Sequence, residues 1–163
     1  MVFFRKLYEK TCLHRNDDPK LLPRGAPRAR DNRSRNWTRE WWDKHSCNYE
    51  LVTSQPVIEE LEDGDYPNKK DVLLLLRKIP ILPVENEIID IVKTYIGNKI
   101  MPKDPTGDAL HLALASYRKC DFLLTWNCNH LANANKFAHI RSINAVLGLF
   151  TPGLVTPLEL LGE

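Results

Sequence analysis

KDPTGDALHLALASYRKCDFLLTWNCNH, residues 103–130, holds a helix, a buried strand and a polar loop in one short run, and its reading decides the fold. Pro102 and Pro105 keep the approach extended, because the residue before a proline is pushed out of the α region. Thr106, Gly107 and Asp108 then supply capping chemistry, so a helix begins there. Ala109, Leu110, Leu112, Ala113, Leu114 and Ala115 surround it almost completely, which requires a sheet on one side and another element on the other. Asp121 to Trp126 follows as a continuous apolar strand of the kind found in the middle of parallel sheets. It ends in the polar loop Asn127-Cys128-Asn129-His130.

In open parallel α/β sheets, ligands bind at the carboxyl edge of the strands. Asp108 at a helix N-terminus and Asn127 just beyond a strand both fall at that edge. Asp108 has a plain structural reading as well, since an acid there complements the helix dipole. The two readings are compatible.

Working outward, Val2 to Tyr8 is rich in β-formers and is expected to be a first strand, with Glu9-Lys10-Thr11-Cys12 at its carboxyl end. Leu13 to Asn36 carries Pro19, Pro23, Gly25, Pro27 and seven cations with little apolar periodicity, which reads as a basic loop or disordered segment. Residues 1–36 are therefore set apart from a domain spanning 37–163. From Trp37 the stretch WTREWWDKH is helical, and its tryptophan stripe is expected in the core. Tyr49 to Ser54 is a second strand, and Pro56 fits the first turn of the helix PVIEELEDG. Glu59 and Glu60 lie about 100° apart around that helix, so one faces the sheet's upper edge and the other solvent. Val72 to Arg77 is a short apolar helix, Ile81 to Val84 a short strand, and Ile88, Ile89, Val92, Tyr95 and Ile96 repeat at helical spacing before Gly97 and Asn98. Ala132 to Leu147 is a further helix with Phe137, Ile140, Ile143, Ala145 and Val146 as its apolar faces, and Leu154 to Pro157 a last edge strand. Strands and helices alternate, which predicts a three-layer α/β/α sandwich around a mostly parallel sheet.

Bulk properties fit one globular domain: 43% hydrophobic and 27% charged residues with a formal net charge of +2. That charge permits RNA without requiring it. The opening MVFFRKLYEK is too short an apolar run for a secretory signal and no stretch is long enough to span a membrane, so a cytoplasmic protein with no membrane partner is expected. Cys12, Cys47, Cys120 and Cys128 contain no C-x-x-C pair and are expected to be free thiols. Cys120, Cys128 and His130 match no usual zinc spacing.

Three stretches together resemble the PIN-domain ribonucleases, in particular the VapC-like toxins. SQPVIEELEDGDYP is similar to that family's second acidic motif, with Glu60 as its glutamate. GDALHLALAS is similar to the third, with Asp108 as its acid. LLTWNCNHLANANK is similar to the fourth in its T-W-N form, with Asn127 in the acidic place. The resemblance covers about residues 37 to 157 and implies the α/β/α fold above. It also implies a magnesium- or manganese-dependent endoribonuclease site built from Glu60, Asp108 and Asn127, with Glu60 and Asp108 as metal ligands. Such ions take hard oxygen ligands, and a metal-bound water attacks the phosphodiester. The partners it implies are RNA, an antitoxin that covers the site, or a second copy of the chain.

The front of the chain departs from this pattern. The family's first strand ends in a sequence like Y-x-D-T-S, and Tyr8-Glu9-Lys10-Thr11-Cys12 laid on it puts Lys10 in the acid's place, with Glu9 turned to the opposite face. Reduced or absent cleavage is the expectation, with Lys10→Asp as the repair. Rewriting of the first segment, for example by a shifted reading frame, accounts both for Lys10 and for the proline- and arginine-rich stretch after it. The alternative is a non-catalytic domain that binds a protein or RNA. A nucleotide-binding protein is disfavoured, because no Gly-rich phosphate loop follows any strand. His111 and His130 are expected to be structural.

Overall fold

The computed structural model describes residues 2–6, 29–66, 69–101, 107–127, 131 and 134–161. It is a mixed α/β fold. Five strands form one sheet: β1 (Val2–Lys6), β2 (Tyr49–Ser54), β3 (Ile81–Leu82), β4 (Phe122–Leu124) and β5 (Gly153–Val155), in the order β3-β2-β1-β4-β5. Around it, among the described residues, run six helices: α1 (Ala29–Lys44), α2 (Gln55–Asp63), α3 (Lys69–Leu76), α4 (Asn86–Gly97), α5 (Asp108–Tyr117) and α6 (Ala134–Val146).

The parallel pairs are β2 with β3 and β4 with β5, while the central β1 is antiparallel to both β2 and β4. Four strands therefore share one direction and the middle one opposes them. Phe3 pairs with Val52 on one side and Leu123 on the other, so Ser54 and Thr125, each two residues further on, end up on the same edge. Lys6 pairs with Tyr49 at the opposite edge. This corrects the expectation that the first strand delivers its carboxyl end to the upper edge. The reason is physical: a five-residue strand carries no mark of direction, and side-chain alternation is the same read either way. Glu9 and Lys10 themselves lie outside the described residues.

Helix α1 starts at Ala29, inside the stretch read as loop, so the division at residues 36 and 37 falls within a helix. Alanine and arginine are strong helix formers, and a helix nucleated by the buried Trp41 extends backward over them at little cost. The cysteine expectation also changes. Cys47 is disulfide-bonded, while Cys120 is buried. No helix among the described residues is long and apolar enough to cross a membrane.

The core follows from α5. Every residue from Ala109 to Ser116 is buried, as an all-round apolar helix demands. Leu112, Leu114, Leu123, Leu131 and Ile140 are fully enclosed with it, and each such side chain contributes roughly 1.5–3 kcal/mol by leaving water. Alternate strand residues serve different clusters. Val52 and Leu123 join α4 and α5, whereas Tyr49, Leu51, Phe122 and Leu124 pack around Trp41 of α1. In β5, a side chain at Gly153 would come within 2.9 Å of the Phe122 ring, so only glycine lets that strand close on β4.

Helices α4, α5 and α6 all end alike, each with a left-handed residue: Lys99 (φ 56°), Lys119 (φ 54°) and Gly148 (φ 65°). After each, an N–H returns to a carbonyl five residues back: Ile100 to Tyr95, Cys120 to Ala115 and Leu149 to Asn144. Helix α4 stops at Gly97 with Asn98 as its C-cap, as expected, and Lys99 supplies the left-handed turn that follows. For α6, Val146 is 83% exposed and Ala145 also faces solvent, while Asn144 is fully buried, so the apolar face was read out of phase.

Candidate functional site

The site is built on the carboxyl edge of β2 and β4, on either side of β1. Strand β2 ends at Ser54, and Pro56 starts α2 with the fixed φ that suits a first turn. Val57 and Ile58 are buried, which turns α2 so that Glu60, three residues after Val57, flanks the inward stripe and reaches α5. Glu60 Oε1 lies 2.9 Å from His111 Nε2. An ionised carboxylate only accepts, so in this pair the imidazole Nε2–H donates. Glu59 turns away and accepts from Gln55 Nε2 at 3.1 Å. The expected division between the two glutamates is therefore seen, with Glu60 on the site.

Helix α5 opens with Gly107 as its N-cap and Asp108 as its first residue, and no side chain makes the capping bond. Asp108 complements the positive end of the helix dipole, but its carboxylate is engaged elsewhere. Asp108 Oδ2 accepts from Asn127 Nδ2 at 2.7 Å. Asn127 is placed by a tight turn: its own N–H donates to Thr125 Oγ1 at 3.0 Å, and its carbonyl accepts from Leu131 N–H at 3.1 Å. With the amide nitrogen committed to Asp108, the atom Asn127 offers a cation is its oxygen.

Glu60 thus reaches His111 and Asn127 reaches Asp108, so two pairs of side chains from distant parts of the chain fall on the first turn of α5. Asp108 and His111 stand about 4.5 Å apart along the helix axis, so the two pairs sit on neighbouring levels of α5. His111 is fully buried with its Nε2 against Glu60; the sequence reading left it off the site. Its position three residues after Asp108 was the available signal, since that spacing shares a helix face. His130 lies outside the described residues.

The donor atoms are carboxylate and amide oxygens, which suit magnesium or manganese rather than a softer metal. Their number is small. Among the described residues, no three His, Cys, Asp or Glu side chains gather closely enough to hold an ion. Carboxylate oxygens of this kind can serve a magnesium-like ion that keeps most of its waters and takes only one or two protein ligands. Nearby, the hydroxyls of Thr53 and Ser54 are buried at the end of β2 and have no hydrogen-bond partner. Polar atoms left so are costly unless something solvates them. Compared with protein-family models, curated proteins and solved structures, the chain matches none.

Proposed function

We propose that the chain is a three-layer α/β/α domain of PIN type, descended from a metal-dependent endoribonuclease, with Glu60 and Asp108 as ligands of magnesium or manganese and Asn127 as an auxiliary one. What supports this reading is that Glu60 reaches His111 and Asn127 reaches Asp108 on the first turn of α5, beside β1, where the strand order 3-2-1-4-5 reverses direction. Crevices at such reversals, outside the carboxyl ends of the strands, are where open α/β sheets bind ligands.

A divalent ion bound there supplies an activated water and stabilises charge on the phosphodiester. The chain's own residues do the rest. Asp108 and Glu60 present oxygens, Asn127 holds the Asp108 carboxylate by its amide, and His111 holds Glu60. The reversed β1 supports an impaired site, because the segment that follows Lys6 leaves from the far edge of the sheet. For the same reason Lys10→Asp alone is no longer expected to complete the ligand set. That observation also favours a second reading, a PIN-like domain that binds RNA or a protein without cutting.

The test is a calorimetric titration of the purified chain with manganese, paired with a cleavage assay on single-stranded RNA. Weak manganese binding is expected, abolished by Asp108→Ala, together with slow cleavage that the same change removes. No manganese response at millimolar concentration would refute the nuclease-derived reading, and if RNA still bound, the binding module would stand. Fast magnesium-dependent cleavage abolished by Asp108→Ala would refute the impairment.

A further inference from the structure

The tryptophan of the T-W-N stretch has no role in the site described above, and its setting is unusual for so large an apolar side chain. Trp126 is 37% exposed, although Trp41 shows that the same fold can enclose an indole completely. It is nevertheless held in place. Trp37 of α1 stacks on it, with ring centroids 6.0 Å apart and planes inclined by 26°. Its Nε1–H donates to Thr38 Oγ1 at 2.9 Å, and that hydroxyl in turn donates to the Ser34 carbonyl at 2.8 Å. Helix α1 thus grips one face of the ring and its N–H edge, and the exposed remainder is pre-positioned.

Two further features say what that surface suits. Arg33 is exposed, lies one helical turn before Trp37 on the same side of α1, and has no ion-pair partner among the described residues. Trp126 is also the residue next to Asn127, whose amide holds Asp108. Adjacent Cα atoms are only about 3.8 Å apart. Arg33 thus lies one turn from Trp37 on α1, Trp37 stacks on Trp126, and Trp126 adjoins Asn127 with its bond to Asp108. Proteins that bind single strands use this combination, with bases on aromatic rings and phosphates on cations.

We infer that Trp126, backed by Trp37, is a stacking platform for an unpaired base of single-stranded RNA, with Arg33 on the strand's backbone and the neighbouring phosphodiester directed to the Asp108–Asn127 rim. This rests on the nuclease-derived reading of the rim for its substrate, but it is tested apart from metal and cleavage. The occupant is a nucleic acid rather than an apolar peptide, because a strand carrying its own negative charge answers Arg33 while its base answers the indole.

The experiment is fluorescence anisotropy of the full chain with a labelled eight-nucleotide single-stranded RNA in EDTA, against an abasic strand of the same length. The RNA is expected to bind more tightly than the abasic strand. Trp126→Ala is expected to weaken the RNA by roughly 10-fold or more, the range base stacking gives, and to leave the abasic strand unchanged. Arg33→Ala is expected to weaken both strands alike and to lower the salt slope by about 0.7. If Trp126→Ala unfolds, Trp126→Phe and Trp126→Leu decide: phenylalanine keeps a stacking face and most of the affinity, whereas leucine loses it. Equal binding of RNA and abasic strand by the unaltered chain, undiminished RNA binding by the leucine variant, or no RNA binding at all overturns the platform. Manganese binding that depends on Asp108 alongside any of those results leaves the nuclease-derived reading standing. Trp126-dependent RNA binding without manganese binding supports the platform and removes that reading instead.

Discussion

Replacing Asn144 with alanine is expected to lower the free energy of unfolding by about 3–5 kcal/mol, the largest stability loss of any single polar change in this fold. Asn144 is fully buried on α6 and ties three elements together. Its Oδ1 accepts from the Tyr95 hydroxyl on α4, and its Nδ2 donates to Ser116 Oγ on α5 at 3.1 Å and to the Phe150 carbonyl at 2.9 Å. Removing the amide leaves the buried Tyr95 hydroxyl and Ser116 Oγ, and the part-buried Phe150 carbonyl, without this partner, and each buried loss costs about 1–3 kcal/mol. At 2–4 °C per kcal/mol for a chain of this size, the melting temperature should fall by roughly 10 °C. A double-mutant cycle with Tyr95→Phe separates the network from simple cavity formation. If the bond matters, the double variant loses less than the sum of the single losses; strict additivity would sink the network argument.

The same phenol gives the network a pH signature. Burial pushes the Tyr95 hydroxyl up to about 12. In the unfolded chain it titrates near 10, so the folded state holds the proton more tightly. The stabilisation is fully present below pH 10 and is lost as pH rises from there to about 12, on the order of 2–3 kcal/mol in all. Tyr95→Phe should flatten that part of the alkaline stability curve. Chemical denaturation at intervals between pH 9 and 12 reads it directly.

Asn144 also shows where the sequence stops being informative. Hydropathy placed Ile140 and Ile143 toward the core and counted Val146 with them, because a polar residue inside a helix reads as outward. What turns α6 is the set of partners waiting for one amide, and those partners come from residues 95, 116 and 150. Where burial alone sets the outcome, the pattern suffices: β2 runs from Tyr49 to Ser54 and α5 from Asp108, as periodicity and the terminal glycine and acid require. The local setting of each candidate residue was legible for a similar reason. Glu60 follows a strand end and a proline, Asp108 opens a helix and Asn127 follows a strand. Strand direction was not legible, since nothing local distinguishes a parallel from an antiparallel β1. The clasp of Trp37 on Trp126 was equally hidden, because it joins residues 89 positions apart in sequence through a contact that no periodicity encodes.

His111→Leu is expected to weaken manganese binding by roughly 10–100-fold, the usual consequence of removing a group that orients a metal ligand. The argument starts from burial. His111 is fully enclosed in α5, whereas the Glu60 side chain it meets is 46% exposed. An exposed glutamate on its own samples several rotamers, and holding one of them costs side-chain entropy. The fixed imidazole Nε2–H holds the carboxylate against α5. Leucine fills similar volume without a donor, so the fold should lose only about 0.5–1.5 kcal/mol, the worth of one hydrogen bond. His111→Gln supplies an amide N–H near the same place and should keep affinity within a few-fold of the unaltered chain. This pattern, loss with leucine and recovery with glutamine at nearly constant melting temperature, is what a positioning role requires. If leucine leaves manganese affinity intact while Glu60→Gln abolishes it, Glu60 is a ligand that needs no help. If neither change matters while Asp108→Ala does, the ion sits on Asp108 and Asn127, and α2 contributes nothing to it.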